Sequence, residues 1–125
     1  MNANQLQLVT FEQAQKLKEA GFYWETDKCY YYNNESNIST ENFGTCDYNN
    51  SKDFRCTSAL TVALALKWFR DVKKITASIV RYNDDGVIKW IGGYNEQKLK
   101  YTKMFDTYEA AESALLNELL TLLEK

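Results

Sequence analysis

The longest apolar run in the sequence, residues 59–69, limits the possible folds more than any other stretch. Only Thr61 and Lys67 interrupt it, so a helix here would be hydrophobic on nearly every side and should be buried. A membrane-spanning helix needs about 20 apolar residues, and this run falls well short of that length. We therefore predict a core helix within residues 58–72, around which the remaining elements pack.

Length and composition favour one small globular domain over residues 1–125. A chain of 125 residues can bury enough surface for a single core. Aromatic residues make up 14% of the sequence, which argues against wholesale disorder. The net charge of −2 gives no reason to expect attraction of the whole protein to nucleic acid or to an anionic membrane. The first residues resemble no signal segment, so we expect a cytoplasmic protein without membrane association.

The sequence contains no His, which removes the most common general base and every imidazole metal ligand. Cys29, Cys46 and Cys56 form an odd set without a C-x-x-C pair, so neither a disulfide framework nor a four-ligand metal site is expected. We expect thiols in a reducing compartment; a bridge between Cys46 and Cys56 is the alternative if the protein is exported. Cys29 as a nucleophile would need activation by Lys28 or by a helix terminus. We therefore predict no enzymatic activity, no cofactor and no metal.

The N-terminal part of the sequence predicts a helix followed by a β-hairpin. Thr10, with Gln three residues later, forms a capping box before residues 11–20, and Gly21 suits the left-handed position that ends a helix. Residues 22–24 and 29–32 are rich in strand-forming aromatic residues and flank a polar turn, which is typical of a hairpin.

A polar, Asn-rich stretch at about residues 33–56 follows the predicted hairpin. A structureless connection of this length is uncommon in a compact domain and is usually functional or mobile. It can also contain a short strand around residues 37–39.

The C-terminal half predicts a β-meander followed by a helix. Three strands, at residues 75–82, 87–94 and 98–105, are separated by turn residues. The final amphipathic helix is predicted to begin at Asp106, with Glu109 completing a capping box. Leucines near its end either complete the core or form a homodimer contact. These leucines are Leu119, Leu120, Leu122 and Leu123.

The order of elements predicts an α+β fold. The expected structure is an antiparallel sheet, made of the N-terminal hairpin and the C-terminal three-stranded meander, packed with three helices. The central helix of the three is expected to be buried.

Basic residues in the meander suggest one possible binding surface. Residues 67–103 carry nine basic and four acidic residues with interleaved aromatic residues, a combination that can stack bases and hold phosphates. The candidate phosphate contacts are Lys89, Lys98 and Lys100. Strict strand alternation, however, turns Leu99, Tyr101 and Phe105 toward the core and leaves these lysines on the other face. A surface that stacks bases and holds phosphates needs aromatic residues and lysines on the same face, and the predicted alternation separates them. Nucleic-acid binding is therefore the alternative function rather than the main one.

Aromatic residues of the predicted hairpin suggest a different surface. They are more numerous than one face of a short hairpin can bury, and Tyr and Trp are favoured at protein interfaces. The candidate partner-binding residues are Tyr23, Trp24, Tyr30 and Tyr32. Packing beneath the Asn-rich stretch would explain them equally well. The main hypothesis is therefore a protein that binds another protein, with a homodimer as one form of that binding.

Three stretches together resemble small uncharacterised proteins of phages and integrated mobile elements of gut Bacteroidota. These stretches are residues 10–14 leading to Gly21 and Phe22, residues 63–70, and residues 108–111 before the Leu-rich end. The resemblance covers the helices and is looser over the meander. It implies a bacterial cytoplasmic accessory protein of a mobile element, and it supplies no catalytic residue.

Overall fold

The computed structural model describes residues 6–34, 37–50, 55–95 and 98–124, and the chain divides into two compact units. One unit is formed by residues 8–61, and the other by residues 1–7 and 62–125. Over the described ranges the fold is α+β, as predicted, with two antiparallel three-stranded sheets and three α-helices. The single domain over residues 1–125 stays a prediction.

The first unit begins with helix α1, Phe11–Glu19, whose ends match the sequence signals. The Thr10 hydroxyl accepts a bond from the Gln13 N–H at 3.1 Å, and the Gln13 side chain accepts one from the Thr10 N–H at 2.9 Å. These two reciprocal bonds satisfy amide groups that a helix start leaves without a partner. Gly21 follows the helix with a φ of 97°, a left-handed conformation that glycine adopts without strain.

The sheet of this unit contains β1, Lys28–Asn34, between β2, Asn37–Glu41, and β3, Cys56–Ala59. An N-terminal hairpin is present, but its strands are β1 and β2. The short strand expected around residues 37–39 is thus confirmed, whereas residues 22–24 form no strand. Phe22 instead donates its N–H to the Leu17 carbonyl and is buried, because it closes the end of α1.

The Asn-rich stretch contains ordered structure besides β2. Its 3₁₀ turn, Tyr48–Asn50, includes a buried Asn49 side chain. The Asn49 amide nitrogen donates to the Phe22 carbonyl at 2.8 Å, and the amide oxygen accepts from the Ser58 N–H, also at 2.8 Å. Asn49 therefore joins the end of α1 to β3 through buried backbone groups, which otherwise cost free energy when they lack partners.

The second unit begins with the central helix α2, Val62–Trp68, which continues as a π-helical segment, Phe69–Lys73. The helix starts later than residue 58 because β3 occupies residues 56–59. Its buried residues are Val62, Ala65 and Trp68. Ala63 and Lys67 are exposed, so the helix is buried on one side rather than all round. Within the described ranges, no helix is long and apolar enough to cross a membrane.

The predicted meander is confirmed as β4, Thr76–Asp84, β5, Val87–Asn95, and β6, Leu99–Phe105, in that spatial order. The β4–β5 turn consists of Asp85 and Gly86, with φ values of 52° and 87°. Two consecutive positive φ values suit the twist of a two-residue hairpin turn.

Helix α3, Tyr108–Leu123, packs onto this sheet. Its N-cap is Thr107, whose hydroxyl accepts from the Ala110 N–H at 3.1 Å, so the start predicted at Asp106 was wrong by one residue. Leu119 and Leu120 are buried, while Leu122 and Leu123 are half-buried. At least the first two leucines therefore belong to the core.

The helix approaches the sheet closely at Gly92, in the central strand β5. A Cβ atom on Gly92 would lie 3.0 Å from Thr102 Cγ2 and 3.1 Å from Leu115 Cβ. At the next residue, Gly93, a Cβ would lie 3.4 Å from the Tyr101 ring, an ordinary van der Waals distance. Gly92 thus faces α3, and Gly93 faces the opposite side of the sheet.

We expect Gly92→Ala to lower the free energy of unfolding by about 1–3 kcal/mol, because its methyl group would force α3 and Thr102 apart. Gly93→Ala is the matched control in the same strand and should change stability by less than about 1 kcal/mol, because its methyl group meets no close contact. Urea denaturation of both variants measures the difference. An equal loss in both variants would contradict the assignment of the two faces.

Candidate functional site

The side of the β4–β5–β6 sheet opposite α3 presents large apolar side chains. Val80 of β4 lies opposite Ile91 of β5, and Ile91 lies opposite Met104 of β6, so the three form a row across the sheet. Tyr82 extends this surface toward the β4–β5 turn, and Tyr101 extends it in the other direction. We call this surface the outer sheet face. Apart from Val87 beside the β4–β5 turn, its large apolar members are Val80, Tyr82, Ile91, Leu99, Tyr101 and Met104.

A β-bulge determines which β6 residues belong to this face. The pairing register shifts between Ile91, opposite Met104, and Gly93, opposite Tyr101. Two residues of β6, Thr102 and Lys103, therefore occupy the place of one, and the alternation of side chains changes there. The Thr102 hydroxyl accepts from the Gly92 N–H at 2.9 Å and donates to the Lys103 carbonyl at 2.7 Å, which holds the bulge in place.

The bulge overturns part of the expected strand alternation. Phe105 is half-buried and lies opposite Trp90, as expected for a core-facing residue. Leu99 and Tyr101, which strict alternation turned inward, are exposed, and Thr102, expected outside, is only 7% exposed. A pair of glycines within a strand is a signal for such a bulge, and the Gly92-Gly93 pair is that signal here.

The large apolar side chains of the outer sheet face are well exposed. Five of these six side chains are about half exposed, and Ile91 is half-buried. The exposed fractions are 49% for Val80, 49% for Tyr82, 59% for Leu99, 58% for Tyr101 and 46% for Met104. Scattered single apolar residues are normal on a protein surface, but a contiguous group across three strands is not.

Charges on this face are few and partly neutralised. Lys89 lies opposite Tyr82, and its ammonium group donates a hydrogen bond to the Asp106 carboxylate. Asp84 lies at the turn end of the same face, opposite Val87. The outer sheet face therefore carries both signs of charge rather than a basic cluster.

The three lysines of the nucleic-acid alternative do not share one face. Lys89 is on the outer sheet face, but Lys100 lies opposite Tyr94, whose position alternates with that of Gly93 and is therefore on the α3 side. Lys98 precedes β6 and is exposed. The three ammonium groups are thus not arranged along one surface.

The four hairpin residues proposed for partner binding differ in exposure. Tyr23 and Trp24 lie outside the sheet, where Tyr23 is 54% exposed. Trp24 is half-buried, with its ring centroid 6.0 Å from that of Phe22. Tyr23 is therefore the member of this pair that is available for contact.

The other two hairpin residues, Tyr30 and Tyr32, are half-buried in β1. The Tyr30 hydroxyl donates to the Val9 carbonyl, and its ring meets Phe11 edge-on with centroids 5.7 Å apart. Burial raises the pKa of the Tyr30 hydroxyl. Tyr30 thus has a structural role in connecting β1 with the start of α1.

A second feature of the unit that contains the outer sheet face is a cavity of about 280 Å³ between α2, β4 and α3. Leu66 and Ile79 line its walls, and Lys67 and Arg70 lie on its α2 side. Both basic groups bond to Asp71, at 2.6 Å and 3.1 Å respectively. The cavity therefore has apolar walls and a charged edge.

The acidic group in this cavity is Glu112, whose residue is only 5% exposed. Burial is the largest effect and raises the pKa of Glu112, the hydrogen bond from the Tyr108 side chain lowers it, and the nearby Glu109 raises it. Burial likewise raises the pKa of Tyr108, followed by the effect of Glu112. The sequence gives no signal for this burial, because a glutamate in the first turns of a helix is ordinarily solvated.

The thiol groups lie in the first unit. Cys29 and Cys56 are buried with Tyr48, while Cys46 is exposed. Burial, followed by the neighbouring Cys56, raises the pKa of Cys29 to about 12, so its thiolate form is scarce at neutral pH. Cys29 therefore lacks the property that a nucleophilic cysteine needs.

Within the ranges that the structure describes, no group of three or more Cys, Asp or Glu residues is arranged to hold a metal ion. Comparison of the chain with models of protein families, with curated proteins and with solved structures found no match. The resemblance to proteins of mobile elements consequently stays a prediction.

We expect the stability difference between Glu112→Gln and the original protein to depend on pH. Because the pKa of Glu112 is raised on folding, the folded state loses stability as pH rises above the ordinary glutamate pKa of about 4.3. Gln cannot ionise, so the variant should gain stability relative to the original protein as pH rises from 4 to 8. Urea denaturation across this range measures the effect, with Glu19→Gln as the control because Glu19 is exposed and lies in α1. A pH-independent difference would contradict a raised pKa.

We also expect the thiols to differ in their rates of alkylation. At pH 8, a thiol with a pKa near 12 has roughly 10³-fold less thiolate than an ordinary cysteine. Iodoacetamide should therefore modify Cys46 rapidly and Cys29 far more slowly, as followed by peptide mass spectrometry. Cys46→Ser should abolish the fast phase. Rapid modification of Cys29 in the folded protein would contradict its low ionisation.

Proposed function

We propose that this protein is a non-catalytic accessory protein that acts by binding another protein through its outer sheet face. The observation that carries the proposal is the exposed group of six large apolar side chains on one side of the β4–β5–β6 sheet. Such a surface is costly to leave in water, and a bound protein would remove it from solvent.

The size of this surface supports an interaction role. An aromatic side chain buries roughly 150–250 Å² when fully covered, and aliphatic ones bury less. Two tyrosines and three aliphatic side chains that are half exposed therefore present at most on the order of 500 Å² of apolar surface. The largest apolar patch on a typical monomeric protein covers about 300–600 Å² and is often functional, so a patch of this size is compatible with an interaction site. Tyr82 and Tyr101 also belong to a residue type that is enriched among strong interface contacts.

Nucleic-acid binding has less support as the alternative function. Its favourable observation is that Lys89 shares the outer sheet face with Tyr82 and Tyr101. Lys89 is paired with Asp106, however, and Lys100 lies on the other side of the sheet. A groove that follows a phosphate backbone needs several cations along one surface.

The low ionisation of Cys29 supports the proposal that the protein is not an enzyme, because this thiol was the one nucleophile considered from the sequence. The resemblance to proteins of phages and integrated elements suggests that the protein acts in the bacterial cytoplasm. A binding surface without catalytic groups fits an accessory role of that kind.

Site-specific photo-crosslinking in the expressing cell tests this proposal. A benzoylphenylalanine residue replaces Tyr101, which is 58% exposed on the outer sheet face, or Tyr23, which is 54% exposed in the other unit. Because the two tyrosines match in type and exposure, the comparison isolates location. We expect protein adducts at position 101 in several-fold higher yield than at position 23.

Each other outcome points to a different conclusion. Higher yield at position 23 would assign binding to the aromatic segment around Tyr23 and Trp24 and would contradict the outer sheet face. Nuclease-sensitive adducts at position 101 would favour nucleic-acid binding instead. Absence of adducts at both positions would contradict protein binding.

A further inference from the structure

We infer that the outer sheet face is covered by the same face of a second copy of this chain, so that two β4–β5–β6 sheets pack face to face. This inference rests on the proposed function and specifies the partner. It differs from the earlier homodimer hypothesis, which placed the contact on leucines of α3. Leu119 and Leu120 are buried and are therefore not available for it.

The area of the face sets how much of it a second copy has to cover. A stable interface buries about 800 Å² on each partner. The apolar side chains supply at most on the order of 500 Å² of this area, as estimated above. Polar residues of the same face add to it at both ends, where Thr76 lies opposite Asn95 and Tyr82 lies opposite Lys89. The apolar centre alone falls short of a standard interface, so the polar residues at both ends have to be covered as well in a stable dimer.

The chemistry of the face favours a permanent partner over a transient one. Interfaces between identical subunits are more apolar than those of transient complexes, at about 65% in apolar area. The centre of this face is formed by Val80, Ile91 and Met104 without a charged residue in the row. An apolar face of this kind needs cover whenever the chain is folded, and a second copy is the partner that is always present with it.

The shape of the face suits packing against itself. Ser78 lies opposite Gly93, and Gly93 lies opposite Tyr101, so the row that adjoins Val80, Ile91 and Met104 has two small residues beside one large one. If a two-fold axis runs along the row through Ile91, Tyr82 of one copy meets Ser78 of the other, and a large side chain faces a small one. Two antiparallel sheets commonly pack in this face-to-face manner with side chains of both inner faces interdigitated.

The charges of the face permit this contact. Lys89 is already paired with Asp106 within one copy, so bringing two copies together adds little like-charge repulsion. A partner of strongly acidic or strongly basic character would find no opposing cluster on the face. The charges of the face therefore do not favour a partner of a different kind. The apolar area and the shape of the face favour a second copy of the chain.

Sedimentation equilibrium of the full chain at micromolar concentrations tests the inference. We expect a mass twice that of the chain. Val80→Lys and Met104→Lys, made separately, should each weaken association by about tenfold or more, because each places a charge in the centre of the interface. Val72→Lys is the matched control, since Val72 is 46% exposed in the same unit but lies in the π-helical segment, outside the sheet. Amide spectra establish that each variant is folded.

A second experiment detects contacts between the two copies by nuclear magnetic resonance and needs no substitution. In a mixture of isotope-labelled and unlabelled chains, nuclear Overhauser effects between copies should connect Met104 and Val80 methyl groups with residues of the outer sheet face. A monomer at all concentrations would overturn the inference. So would a dimer that Val80→Lys and Met104→Lys leave unchanged, or one without contacts between copies at this face. A monomer whose position 101 still crosslinks to a different protein would refute the second copy while supporting the proposed function.

Discussion

The close approach of α3 to the central strand at Gly92 is the constraint on which the second unit depends. It requires a residue without a side chain at this position, because Leu115 and Thr102 occupy the space that a Cβ atom would need. It also places Thr102 where its hydroxyl can accept from the Gly92 amide, which fixes the bulge in β6. One contact between helix and sheet thus decides which side chains of β6 face the core and which face solvent.

The apolar character of the outer sheet face follows from this constraint. Without the bulge, Leu99 and Tyr101 would share the side of Phe105 and pack beneath α3. With it, they join Val80 and Met104 on the uncovered side. The same local irregularity that lets the helix pack closely therefore creates the surface that we propose for binding.

Local signals predicted the elements of this fold well, and long-range relationships poorly. The capping box at Thr10, the β4–β5 turn and the strands of the meander were predictable because each depends on a few adjacent residues. The strand that pairs with β1 was not predictable from local sequence. Phe22 is buried at the end of α1 instead of pairing in a strand, because tertiary packing outweighs its strand propensity. The outer sheet face follows from the sequence only in part: strict alternation along β4 places Val80 and Tyr82 on the side opposite Ile79, but alternation cannot account for the bulge in β6. Burial of Glu112 also escaped prediction, since a glutamate in a helix start is ordinarily solvated.

The two sheets differ in how far apart in the sequence their paired strands lie, and this difference bears on the order of folding. Strands β4, β5 and β6 pair only with their neighbours in sequence, through short connections, and α3 follows directly. By contrast, β3 pairs with β1 across the whole of β2 and the Asn-rich stretch. Closing a longer loop costs more conformational entropy before stabilising contacts can form. Pairings between strands that are close in the sequence therefore form faster. The meander can therefore form early, while the β1–β3 pairing has to wait until Asn49 and Ser58 come together.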